Sequence, residues 1–163
     1  MIDGLTRILV RDLETLDREV GLYPDDASLW IAVPGQPTPG GNLALHLCGN
    51  LRHFIGATLG DTGYVRNREQ EFAASGLSRE AVRQEVARAL ADVRGALQGL
   101  QAWRLEEDYP LEIQGVRLPL DTVLMHLSGH LAFHLGQVDY HRRAATGDRT
   151  SAAPLALAPL ESR

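Results

Sequence analysis

Three of the six histidines in the chain, His126, His130 and His134, recur at every fourth position of one segment. Two neutral imidazoles four residues apart lie on one face of a helix and can bind the same divalent metal ion. The outer two are about 12 Å apart along a helix, which is too far for one ion. The segment therefore predicts a metal-binding pair, either His126 with His130 or His130 with His134.

The positions of these histidines around a helix favour the second pair. At about 100° per residue, His134 lies about 50° from the centre of the apolar face, His130 about 90° and His126 about 130°. His126 is therefore expected at the surface. His141 lies near the apolar face too, but it is about 10 Å beyond His134 along the helix, so we expect a structural or supporting role for it.

A third ligand has to come from another helix. His46 and His53 both flank the apolar face of a preceding amphipathic segment, and both remain candidates at this point. Three imidazoles leave a coordination position open, which is typical of catalytic rather than structural sites. The competing interpretation is that these histidines only form hydrogen bonds at the edge of a core.

The sequence lacks the motifs that define several other kinds of metal-binding or catalytic site. No histidine has a glutamate three positions before it, which excludes the carboxylate di-iron bundles. Neither a His-Glu-x-x-His motif nor a glycine-rich phosphate loop is present. Cys48 lies about 160° around the helix from His46 and is expected to be a packed apolar residue.

Four amphipathic segments are predicted to position these residues, because apolar residues recur in them at steps of three and four. They cover residues 2–20, 42–60, 78–100 and 120–145, with Asn42 and Ser78 as predicted N-caps. Proline- and glycine-containing connectors separate them, the last with a possible hairpin through 111–118. We therefore predict an all-α four-helix bundle with long crossover connections over residues 1–147, followed by an Ala-, Pro- and Leu-rich tail over 148–163.

Composition narrows the class of protein. The chain has 163 residues, 44% of them apolar, which is enough for one core. A net charge of −5 argues against a nucleic-acid partner. The single cysteine fits a reducing compartment, and no apolar run suggests a signal peptide or a membrane span. We expect a cytoplasmic protein without a membrane partner.

Three motifs resemble those of one family. Residues 46–52, His-Leu-x-Gly-Asn-Leu-Arg, resemble the second-helix motif of the DinB-like metalloenzyme superfamily, which includes the YfiT-like proteins. Residues 130–138, His-x-x-x-His-x-Gly-Gln-Val, resemble its fourth-helix motif. Residues 66–72 are similar to a motif of one branch, and the match extends over most of residues 1–145.

The resemblance implies an up-down-down-up bundle with a divalent ion, zinc or nickel and alternatively iron, bound by His46, His130 and His134. It also implies a homodimer. Many relatives carry a histidine where Phe133 stands here, so this neighbourhood is more apolar.

The function that the resemblance implies is a metal-dependent enzyme that uses a low-molecular-weight thiol on a small-molecule substrate, similar to S-transferases. The alternatives are a metal-dependent hydrolase and a non-catalytic, stress-related metal-binding bundle. Asn50 and Arg52, one to two turns beyond His46, are candidates to contact an anionic substrate. A surface ion pair is the alternative for Arg52.

Overall fold

The computed structural model describes residues 1–161, and within that range the chain forms five α-helices and no β-strand. The helices are α1, Ile2–Gly21; α2, Gly40–Leu51, continued by a π-helical segment, Arg52–Ala57, and a last turn, Thr58–Gly60; α3, Arg68–Ala73; α4, Arg79–Gln98; and α5, Leu120–Thr146. The predicted all-α class is confirmed. The short helix α3 lies in what the sequence predicts to be a polar connector.

The four long helices form a bundle in which α1 and α5 run in one direction and α2 and α4 in the other. At one end, the hydroxyl of Tyr23, just after α1, lies 2.7 Å from Nδ1 of His141 near the end of α5. The backbone carbonyl of Tyr23 accepts a hydrogen bond from Arg79 at the start of α4. Gly40 at the start of α2 packs against the same tyrosine. The order of directions is therefore up-down-down-up.

The core lies between these helices and consists of the apolar faces that the sequence predicts. Each of α1 and α2 packs against both α4 and α5. The fully buried aliphatic side chains include Leu9, Leu13, Leu16, Leu47, Leu51, Ile55, Val82, Val86, Val93, Leu124, Leu131 and Val138. Each such side chain contributes about 1.5–3 kcal/mol by its removal from water. This packing fixes α2 directly beside α5.

The start of α2 differs from the prediction. The helix begins at Gly40, two residues early, so Asn42 is not its N-cap. Asn42 is instead buried, and its side-chain amide donates hydrogen bonds to the carbonyls of Glu71, Phe72 and Ala74, at 3.0, 3.2 and 2.8 Å. These bonds attach α3 to the first turn of α2.

Two smaller predictions can be compared with the structure. Ser78 caps α4, because its side chain accepts a hydrogen bond from the backbone N–H of Ala81 at 3.1 Å. The possible hairpin through 111–118 is one tight turn, closed by two 3.0 Å backbone hydrogen bonds between Ile113 and Val116. A second antiparallel bridge, between Asp108 and Pro119, joins the two sides of this segment further from the turn, and the N–H of Tyr109 donates to the carbonyl of Leu118 at 2.9 Å.

The residues after α5 lie against α1. The guanidinium groups of Arg18 and Arg7 donate hydrogen bonds to the carbonyls of Ala152 and Leu160, at 3.1 and 3.3 Å. The predicted tail therefore covers part of α1 as far as residue 161, and residues 162–163 lie outside the described range. None of the helices within residues 1–161 combines the length and apolar character needed to cross a membrane.

Candidate metal centre

Helices α2 and α5 bring three histidines together on their facing sides. The ring centroid of His46 lies 5.1 Å from that of His130 and 5.3 Å from that of His134, and the latter two rings are 4.6 Å apart. One ring nitrogen from each lies within 4.8 Å of the other two. The structure thus gathers the three histidines that the resemblance singled out, in a cluster of the kind that holds a divalent metal ion.

The spacing of the nitrogens fits such an ion. Nε2 of His46 lies 3.3 Å from Nε2 of His130. Two nitrogens that are each about 2.0–2.1 Å from a tetrahedral ion are about 3.4 Å apart. This spacing is the one expected of a donor set arranged for a cation. The other ring nitrogen of His130, Nδ1, is buried and has no hydrogen-bond partner within residues 1–161, so no hydrogen bond holds this ring from behind.

A carboxylate fixes the tautomer of His46. Oε2 of Glu71, on α3, lies 2.9 Å from Nδ1 of His46, and both groups are buried. Since an ionised carboxylate can only accept, the imidazole donates its proton from Nδ1 and directs the lone pair of Nε2 towards α5. Such carboxylate–histidine pairs orient metal ligands and raise their basicity.

Arg66 in turn holds Glu71. Its guanidinium donates to both carboxylate oxygens of Glu71, at 2.7 and 2.8 Å. Burial raises the pKa of the Glu71 carboxyl, but the hydrogen bonds and charges of Arg66 and His46 outweigh burial and bring that pKa below its ordinary value. Glu71 is therefore ionised at neutral pH.

His134 is oriented within its own helix. Its Nδ1 lies 2.6 Å from Oε1 of Gln137, so the imidazole donates to the amide oxygen and leaves Nε2 available as a ligand. Burial lowers the pKa of His134 below its ordinary value. Burial, together with the neighbouring His134 and His46, also lowers the pKa of His130 to about 4. Both imidazoles are therefore neutral at pH 7, the form that binds metal.

Glu71 is the residue of this centre for which the sequence analysis predicts no role. It lies within the 66–72 motif, but its contact with His46 depends on how α3 packs against α2. Residue spacing alone does not predict that packing. Gly49 makes the contact possible, because a Cβ there would overlap the Glu71 carboxylate. The glycine of the 46–52 motif therefore leaves the space through which Glu71 reaches His46.

We predict that Gly49→Ala weakens zinc binding by about 10- to 100-fold, the usual cost of disturbing a partner of a metal ligand. The added methyl group displaces Glu71 and releases Nδ1 of His46. Titration with zinc against a chromophoric chelator measures the effect. Gly95→Ala is the control, since nothing lies within 4 Å of a Cβ at that position of α4. Equal zinc affinities of the two variants would contradict this role of Gly49.

The two candidate substrate contacts lie in different surroundings. Asn50 is buried at the cleft of about 640 Å³ that opens over the histidine cluster, and its Oδ1 has no partner within the described chain. Arg52 points instead towards α4, where it pairs with Glu85 and Asp92, both at 2.9 Å. The structure thus shows the ion pairs that were the alternative for Arg52.

Cys48 is buried, and burial raises the pKa of its thiol.

The remaining histidines are not part of the cluster. His126 is exposed, as expected from its position on the helix. His53 lines the same cleft, half-buried. His141 is fully buried, with Nδ1 bonded to Tyr23 and Nε2 2.9 Å from the carbonyl of Ile31. These two bonds indicate a structural role for His141.

The fold and the cluster together define an all-α bundle with three converging imidazoles at an open cleft. No family model matches the sequence, and no curated protein matches it. Among solved structures, the chain is similar to the crystal structure of a histidine-to-alanine mutant of mycothiol-dependent maleylpyruvate isomerase, with a TM-score of 0.62 and 20% sequence identity. The similarity covers 81% of this chain and 59% of that chain, and at this identity it shows a shared fold.

Proposed function

We propose that the chain is a member of the DinB-like superfamily that binds one divalent metal ion through His46, His130 and His134. Zinc or nickel is the proposed metal, with iron as the alternative. The observation that carries this proposal is the convergence of three imidazole nitrogens within 4.8 Å on two helices. The hydrogen bonds of Glu71 and Gln137, which fix two of the three rings, support it further.

The proposed activity is a thiol-dependent transfer or isomerisation of a small molecule in the cytoplasm. A divalent ion held by three neutral imidazoles keeps its charge and an open position, and it supplies Lewis acidity that favours the deprotonated form of a thiol or water. The structural neighbour is named as a mycothiol-dependent isomerase, which favours the thiol over the hydrolytic alternative. We also propose that two copies of this chain form a homodimer.

The protein's own groups are suited to position a ligand at this cleft. Glu71 and Arg66 neutralise each other and hold His46 still. Asn50 lines the cleft, and its side-chain amide N–H groups are donors suited to an anionic group of a bound molecule. Asn50 is therefore the proposed positioning contact.

Elemental analysis of protein purified without a histidine tag tests the proposal, followed by assays of several low-molecular-weight thiols with electrophilic acceptors. We expect about one equivalent of metal per chain, and thiol consumption that disappears on metal removal and returns with added zinc or nickel. Metal that raises the melting temperature, without turnover of any thiol or hydrolytic substrate, would instead support the non-catalytic bundle. Protein without bound metal that also fails to bind added metal would refute the site.

We predict that zinc affinity is constant from about pH 8 to pH 7 and falls below about pH 6, because protons compete for the imidazoles. The lowered pKa values of His130 and His134 delay this competition, so the loss is gradual and extends towards about pH 4. Zinc titrations in buffers across this range measure it. Affinity that stays flat down to about pH 4 would contradict ligation by histidine.

A further inference from the structure

We propose that the small molecule bound at this centre carries an aromatic or branched apolar group next to an anionic group. This inference rests on the proposed function and names its substrate class. It comes from two clefts of different polarity that meet at the histidine cluster.

The first is an apolar cleft of about 560 Å³ beside His134. Its apolar lining is Pro37, Leu43, Phe72, Phe133 and Tyr140. Phe133 is 64% exposed and Tyr140 71% exposed, although aromatic side chains normally gain by burial. The ring centroid of Phe133 lies 5.1 Å from that of His134. An apolar group in this cleft would therefore lie against the metal ligand itself.

The second cleft, of about 640 Å³, lies over the cluster and is more polar than the first. It contains Arg66 and Arg68, which differ in their partners. Arg66 is neutralised by Glu71, whereas Arg68 forms no ion pair within residues 1–161. The carboxylate at the rim of this cleft, Glu112, is paired with Arg117 at 3.4 Å. Arg68 is thus the uncompensated positive charge among these groups.

Phe72 connects the two clefts because its side chain lines both. Its ring centroid is 4.9 Å from that of His46, and the guanidinium carbon of Arg68 lies 5.0 Å from the same centroid. The apolar surface, the imidazole cluster and the guanidinium group of Arg68 therefore lie close enough together for one small molecule to contact all three. An aromatic carboxylate or sulfonate matches this arrangement, since its ring fits the apolar cleft while its anion reaches Arg68.

Two fluorescent probes with related aromatic frameworks test the inference on the zinc-loaded protein: anilinonaphthalene sulfonate, which is anionic, and phenylnaphthylamine, which is neutral. We expect Phe133→Ser to weaken both probes by about 10-fold, because part of the apolar contact is lost. Arg68→Gln should weaken the anionic probe alone by up to about five-fold, with most of this effect lost in high salt.

Matched variants outside both clefts are the controls. Trp103→Ser removes an aromatic side chain that is 67% exposed, and Arg94→Gln removes an exposed arginine of α4. Both are expected to bind the probes as the wild type does. If Phe133→Ser or Arg68→Gln behaves like its control, the inferred substrate class is wrong.

Zinc titration of the same variants separates this inference from the proposed function. Neither Phe133 nor Arg68 belongs to the proposed ligand set, so both variants should bind zinc with wild-type affinity. Normal zinc binding with unchanged probe binding would overturn the substrate class alone. Failure of the wild-type chain to bind zinc would overturn the proposed function, whatever the probes show.

Discussion

His46→Ala is expected to lower the affinity for zinc by more than about 100-fold, since loss of a ligand should cost more than loss of a ligand's partner. His46 is the only member of the cluster that α2 supplies within the described residues, so its removal leaves two imidazoles on one helix. Competition titration with a chromophoric chelator gives the affinity, and elemental analysis gives the metal content.

The matched control is His53→Ala, because His53 lies in the same cleft and on the same continuous helix but outside the cluster. It should retain wild-type metal content. Neither His46 nor His53 belongs to the hydrophobic core, so both variants should fold, which circular dichroism can verify. If His46→Ala keeps its metal, or if His53→Ala loses it to the same extent, the ligand assignment is wrong.

Arg142→Met is expected to lower the free energy of unfolding by about 3–5 kcal/mol, the cost of removing one partner from a buried ion pair. The Arg142 side chain is fully buried and donates to Glu19 of α1 at 2.6 Å. It also donates to Asp139 at 3.2 Å and to the carbonyl of Thr150 at 2.6 Å. Urea denaturation measures the change.

The neighbouring residue offers the control. Arg143 is 31% exposed and pairs with Asp139 at 2.9 Å, one turn earlier in α5. Arg143→Met should change the unfolding free energy by less than about 1 kcal/mol, because the Arg143 side chain is only partly buried and Asp139 keeps its hydrogen bond from Arg142. Burial raises the pKa of Glu19 even in the presence of Arg142. If the two methionine variants are equally stable, the buried network does not contribute as described.

The long helices could be predicted from the sequence because each buries one continuous face, which leaves apolar residues at helical spacing. The predicted ends of α1 and α5 differ from the observed ones by one residue each. Helix α3 could not be predicted this way, since it has six mostly polar residues and is stabilised by the Asn67 cap and by Asn42. The π-helical segment of α2 also has no periodic pattern that would reveal it.

The histidine pair of α5 could be predicted because i,i+4 spacing leaves two pairs and the position around the helix favours His130 with His134. The choice of His46 over His53 depended on the family resemblance, since the two flank the same face. The Glu71 contact could not be predicted, because it joins residues from separate helices. Its geometry depends on the tertiary position of α3.

The hydrogen bonds of Asn42 do more than attach α3 to α2. Its three hydrogen bonds hold a segment that carries both Glu71, which orients His46, and Phe72, which lines both clefts. In the proposed function, affinity for the ion and selectivity for the organic ligand therefore both depend on the position of this segment. A substitution that moves α3 is therefore expected to change both the affinity for the ion and the selectivity for the organic ligand.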